Sequence, residues 1–132
     1  MCEIMSEHVI YEDGNYVLKR CVHSADSGFV FDYKLIIKGL KVFSRLYCYE
    51  SENYGVPTYV VSAVLQYFAE PWRNLNVFRY YRGDDPSFRK LVKYVNGIRA
   101  PRDFILLFMD IVSPALADLC REVVKGCKQF LR

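Results

Sequence analysis

The sequence predicts an α+β fold, an antiparallel sheet of four strands, or five, in the N-terminal half with helices packed on one of its faces. Three observations predict it. Apolar and polar residues alternate through 8–50, Asp-Gly and Gly-containing breaks divide that stretch into hairpins, and beyond Pro57 the apolar spacing becomes helical.

Runs 8–12 and 15–23 flank Asp13-Gly14, a two-residue hairpin signal because both positions of such a turn need positive φ. Runs 29–38 and 40–50 form a second hairpin around Gly39. If Gly39-Leu40 is a Gly-first turn, Lys38 faces Lys41 and the register follows. Phe29, Phe31, Tyr33, Leu35 and Ile37 then share an apolar side with Val42, Leu46 and Cys48. The other side carries Val30, Asp32, Lys34, Ile36 and Lys38 beside Lys41, Phe43, Arg45, Tyr47 and Tyr49.

Pro57 is placed to open a helix to about Glu70, with Val60, Val61, Val64, Leu65 and Phe68 at helical spacing, ended by Pro71. Residues 74–82 read as a fifth short strand or an extended loop. Asp85-Pro86 is an N-cap and first-turn pair for a helix that Asn96-Gly97 closes. Two further helices are expected, one from near Asp103 to Val112 and one over 114–131, with Ser113 as cap or Pro114 as kink.

One domain of 132 residues is long enough to bury a core without staples. The 25% charged fraction argues against disorder, and a net charge of +3 is too small to identify a polyanion binder by itself. Eleven Tyr, nine Phe and one Trp exceed the needs of a small core, so some rings are expected to meet water or a ligand. No basic leader with an apolar run and no membrane-length apolar stretch occurs, which reads as a cytoplasmic chain. The five cysteines (Cys2, Cys21, Cys48, Cys120, Cys127) lack zinc-ligand spacing and are expected to be buried, reduced thiols.

Catalysis finds little footing. His8 and His23 are the only histidines, no nucleophile, phosphate-loop or dinucleotide motif is present, and Asp84-Asp85 is explained by capping. The reading is a chain that is not an enzyme, with no catalytic residue, metal or cofactor.

Binding chemistry is better represented. In the hairpin register Lys38 opposes Lys41 and Lys34 opposes Arg45, and like charges across a ladder are destabilising unless something compensates. A polyanion across that face would do so, with Phe43, Tyr47 and Tyr49 as stacking surfaces for unpaired bases. The segment 71–83 interleaves Trp72, Arg73, Arg79, Tyr80 and Arg82, a mixture suited to phosphates and bases together. These twelve residues are the candidate nucleic-acid site. Leu116, Cys120, Val123, Cys127 and Phe130 form a helical stripe, a candidate homodimer contact or packing face.

The order of four strands over 8–50, helices after Pro57, an aromatic and basic segment over 72–82 and a C-terminal helix over 114–131 resembles the ThermoDBP family of single-stranded-DNA-binding proteins from thermophilic archaea. The resemblance implies binding of single strands in a basic, aromatic-lined cleft, assembly into dimers or higher forms, and a thermophilic source. The resulting expectation is binding of single-stranded DNA or RNA with little sequence preference and an affinity that falls steeply with salt. The alternative is a protein-protein interaction adaptor whose Tyr and Arg form the contact patch.

Overall fold

The computed structural model describes residues 4–39, 42–51, 55–67 and 73–122. Six strands follow one another in the chain: β1 (Ser6–Glu12), β2 (Tyr16–Val22), β3 (Phe29–Ile37), β4 (Val42–Ser51), β5 (Thr58–Tyr67) and β6 (Arg73–Arg82). They lie side by side in that same order, every neighbouring pair antiparallel. Two helices, α1 (Pro86–Asn96) and α2 (Pro101–Glu122), complete the α+β architecture.

The sheet therefore has six strands, not four or five: residues 74–82 are a strand, β6, rather than a loop, and the additional strand is β5. The helix expected after Pro57 is strand β5. Thr58, Val60, Val61 and Val64 are β-branched and Tyr59 and Tyr67 aromatic, side chains that suit a pleated surface and lose rotamer freedom in a helix. Val60 and Val61 are both buried although they point to opposite faces. A strand covered on both sides carries consecutive apolar residues, and such a run imitates helical spacing.

Both helices cover the same face. Leu18, Leu35, Leu46, Val61, Ala63 and Leu65 on the strands pack with Phe88, Leu91, Val95, Ile98, Phe104, Phe108 and Ile111 on and between the helices. Asp85 caps α1 by accepting from the Ser87 amide at 2.9 Å, and Pro86 occupies its first turn. The expected break at Ser113 is absent, because α2 continues unbroken past Pro114. Among the described residues no helix is long and apolar enough to cross a membrane.

Two local features shift side chains between faces. The β3–β4 register places Lys34 against Arg45 as expected but slips between Phe29 and Phe31. This bulge moves Phe29 off the apolar face, where alternation had put it, to the side opposite the helices. At the first hairpin, Asp13 Oδ1 accepts from the amides of Asn15 and Tyr16, and Gly14 is not among the glycines with positive φ. The turn is thus built by the Asp13 side chain and not by the two-residue geometry expected.

Candidate functional site

The sheet face opposite the helices is built by alternation: Lys19 and Cys21 of β2, Asp32 and Lys34 of β3, Phe43, Arg45, Tyr47 and Tyr49 of β4, Val60 and Ser62 of β5, and Phe78, Tyr80 and Arg82 of β6. No described helix packs there. The rings expected on this face, Phe43, Tyr47 and Tyr49, do lie on it, each half-buried.

Lys19, Lys34 and Arg45 form a row of three cations across neighbouring strands. The chain itself supplies their counter-charges. Glu7 on β1 reaches Lys34 at 2.8 Å and Lys19 at 3.5 Å, and the Lys34 hydrogen bond foremost holds its carboxyl below the ordinary glutamate range. Asp32, fully buried, accepts from Arg45 Nε at 2.9 Å and Nη2 at 2.7 Å. That bidentate hydrogen bonding raises Arg45 above its ordinary value despite its partial burial. The compensation that the like-charged ladder demanded is therefore intramolecular, with three cations against two carboxylates in this row.

His23 completes the Asp32 cluster. With the carboxylate as acceptor, His23 Nε2 donates to Asp32 Oδ2 at 2.7 Å, while its buried Nδ1 has no partner among the described residues. The imidazole stacks on Phe29 at 3.8 Å between centroids, and Phe29 in turn lies 5.9 Å from Tyr47 and 6.2 Å from Tyr49. Arg45 sits over the Tyr47 ring at 4.3 Å. A cavity of about 230 Å³ lies beside this cluster, between Arg20, Cys21, Asp32, Tyr33 and Asn96. It is smaller than the roughly 300–1,000 Å³ of ordinary small-molecule sites. Burial first, then the Asp32 charge, pushes the Cys21 thiol up to about 11, so it is a poor nucleophile despite the histidine nearby.

The rings of β4 and β6 close over β5. Tyr49 and Tyr80 flank Val60, and Tyr47 and Phe78 flank Ser62, leaving both small residues buried. The Ser62 hydroxyl has no hydrogen-bond partner among the described residues. Tyr80 remains 68% exposed and Phe78 49%, which makes β6 the most accessible aromatic strip of the face.

The other expected site residues divide. Arg82 shares the face with Tyr80 and pairs with Asp84 at 3.2 Å. Lys38 lies at the sheet end, donating to the Asp13 carbonyl at 2.9 Å, with Glu12 at 3.6 Å. Arg79 points to the opposite face and binds α2 main-chain carbonyls, so it is not part of this surface. Arg73 begins β6 with its side chain outside the described residues, where Lys41 and Trp72 also fall. Of the dimer stripe, Leu116 and Cys120 lie on α2 with undescribed side chains; Val123, Cys127 and Phe130 fall outside the described residues.

Ser62 and the acidic partner Glu7 are not singled out by the sequence, and Phe78 lies within the segment 71–83 without being among its named binding residues. Period-two spacing with Tyr80 and Arg82 was the available signal for Phe78. Comparison with family models, with curated proteins and with solved structures found no match.

Proposed function

We propose that this chain binds single-stranded nucleic acid, without catalysis and with little sequence preference, on the sheet face that its helices leave bare. One observation carries the reading: Tyr47, Tyr49, Phe78 and Tyr80 share that face, and the last two are widely exposed. Flat rings on a rigid sheet suit unpaired bases, because every base has a face to stack whatever its identity. Arg82, widely exposed at the end of the same strip, supplies a cation for phosphate, while Lys19 and Lys34 further across are held by Glu7. The resemblance to the ThermoDBP family implies the same ligand class.

Titration of a labelled single strand, with the matching duplex as competitor, tests this. Preference for the single strand is expected, with Tyr80→Ala and Phe78→Ala each weakening it about tenfold, the equivalent of roughly 1.4 kcal/mol of stacking. Absence of binding, or binding indifferent to both changes, overturns it.

A second reading has its own support. Because Glu7 and Asp32 already answer the cation row, the face is closer to neutral than its lysines suggest. A nearly neutral patch of Tyr, Phe and Arg is also the composition of a protein-protein contact. The same titration separates the two, since an adaptor face ignores the oligonucleotide.

A further inference from the structure

The two edges of the sheet are unlike. β1 carries a bulge between Val9 and Tyr11 and presents Glu7, His8 and Glu12, features that discourage pairing with another strand. β6 runs ten residues in unbroken register with β5 and contains no proline. Its Arg79 side chain is turned onto α2. Such an edge is a template for strand addition.

Which main-chain groups face outward follows from the ladder. The Gly83 amide donates to the Pro57 carbonyl at 2.8 Å, extending the Thr58–Arg82 register by one residue and making Pro57–Gly83 a hydrogen-bonded pair. Bonded pairs alternate in an antiparallel ladder, so the groups of Leu75, Val77, Arg79 and Tyr81 face β5. Those of Asn74, Asn76, Phe78 and Tyr80 face away. None of the latter four has a main-chain partner on that side among the described residues. They are also residues whose side chains lie on the bare sheet face.

We propose that β6 pairs antiparallel with β6 of a second copy about a twofold axis at Phe78, joining two sheets into one of twelve strands. A second copy fits this edge because the strand is complementary to itself in that register. Phe78 meets Phe78, Asn76 meets Tyr80, and Asn74 meets Arg82, while on the helix side Val77 meets Arg79 and Leu75 meets Tyr81. No like charges oppose each other in the pairing. Exposed Phe78 and Tyr80 from both copies then form one aromatic band across the axis, so the surface of the proposed function becomes continuous over two subunits. The pairing itself does not depend on what that surface binds.

Sedimentation equilibrium of the full chain, with amide exchange, tests the pairing. A dimer is expected, with protection of the Asn76, Phe78 and Tyr80 amides rising with protein concentration. Phe78→Lys and Phe78→Glu each place like charges on the axis and are expected to sediment as monomers. Their equimolar mixture is expected to recover a dimer containing one of each. Asn76→Pro, which removes an outward amide and no β5–β6 bond, is expected to weaken the wild-type dimer. A wild-type monomer at every concentration overturns the proposal. So does a dimer whose outward β6 amides stay unprotected, or one that folded Phe78→Lys and Asn76→Pro chains form as readily as wild type.

Discussion

Arg79 on β6 supplies the hydrogen bond that Pro114 withholds from Asp110. In a continuous helix the Asp110 carbonyl would accept from the amide four residues on, but residue 114 is proline and has no amide hydrogen. Arg79 Nη2 donates to the Asp110 carbonyl at 3.0 Å and to that of Ile111 at 3.3 Å, with Nη1 3.6 Å from the Asp110 carboxylate. An edge strand thereby lets α2 run through a proline at which the sequence predicts the start of a separate helix or a kink. Arg79→Ala is expected to cost about 1 to 2 kcal/mol in urea unfolding. In a Pro114→Ala background, where the helix supplies its own donor, the cost should shrink toward zero. An equal cost in both backgrounds would show that the carbonyl is not what Arg79 serves.

Asp32 is expected to matter far more than Glu7, though both neutralise cations of one row. Asp32 is fully buried and takes hydrogen bonds from Arg45 and His23, whereas the Glu7 side chain is 37% exposed. Asp32→Asn keeps the shape but leaves Arg45, itself partly buried, without its counter-charge, a change expected to cost about 2 to 3 kcal/mol. Glu7→Gln is expected to cost less than about 1 kcal/mol at neutral pH. Paired urea titrations of the two variants settle the order.

The parts legible in the sequence were those fixed by local chemistry. Alternation and the Lys34–Arg45 register place Tyr47 and Tyr49 on one face, and Asp85-Pro86 marks the start of α1. What was hidden depends on distant partners. β5 read as helix because neighbours on both sides bury Val60 and Val61 together. Phe29 changed face through a bulge that no residue type announces. The like-charged ladder was visible, but its answer lay 27 residues from Lys34 in sequence, at Glu7.

Glu7 also gives stability a defined pH response. Its folded-state carboxyl is held below the ordinary 4.5, chiefly by Lys34. A depressed carboxyl stabilises the fold fully above the unfolded value and loses that contribution as pH falls through the folded one. The stability difference between wild type and Glu7→Gln should therefore be constant above about pH 4.5 and vanish on further acidification. Urea midpoints across that range provide the check, and a difference that grows toward low pH would contradict the assignment.

Cys21 and Cys48 are buried, free thiols, raised by burial to about 11 and about 12. Thiolate is the reactive form, so at neutral pH both are expected to resist alkylation in the native protein and to label fully in denaturant. Peptide mapping resolves these two sites from the remaining cysteines. Rapid native labelling of Cys21 would show that the strands around it open readily.

The charge arrangement makes a prediction about salt that separates the two binding readings. With Lys19 and Lys34 held by Glu7 and Arg45 by Asp32, few cations of the face are free to release counterions. Wild-type binding of a single strand should then depend on salt only weakly, instead of steeply as the lysine count alone suggests. Glu7→Gln frees two lysines beside the aromatic rings. For single strands each neutralised phosphate contributes about −0.7 to the slope of log affinity against log salt, so the slope should steepen by about 1.4 while affinity at low salt rises. A face that binds nucleic acid by any other route shows no such change, and one that binds an uncharged protein surface has no slope to steepen.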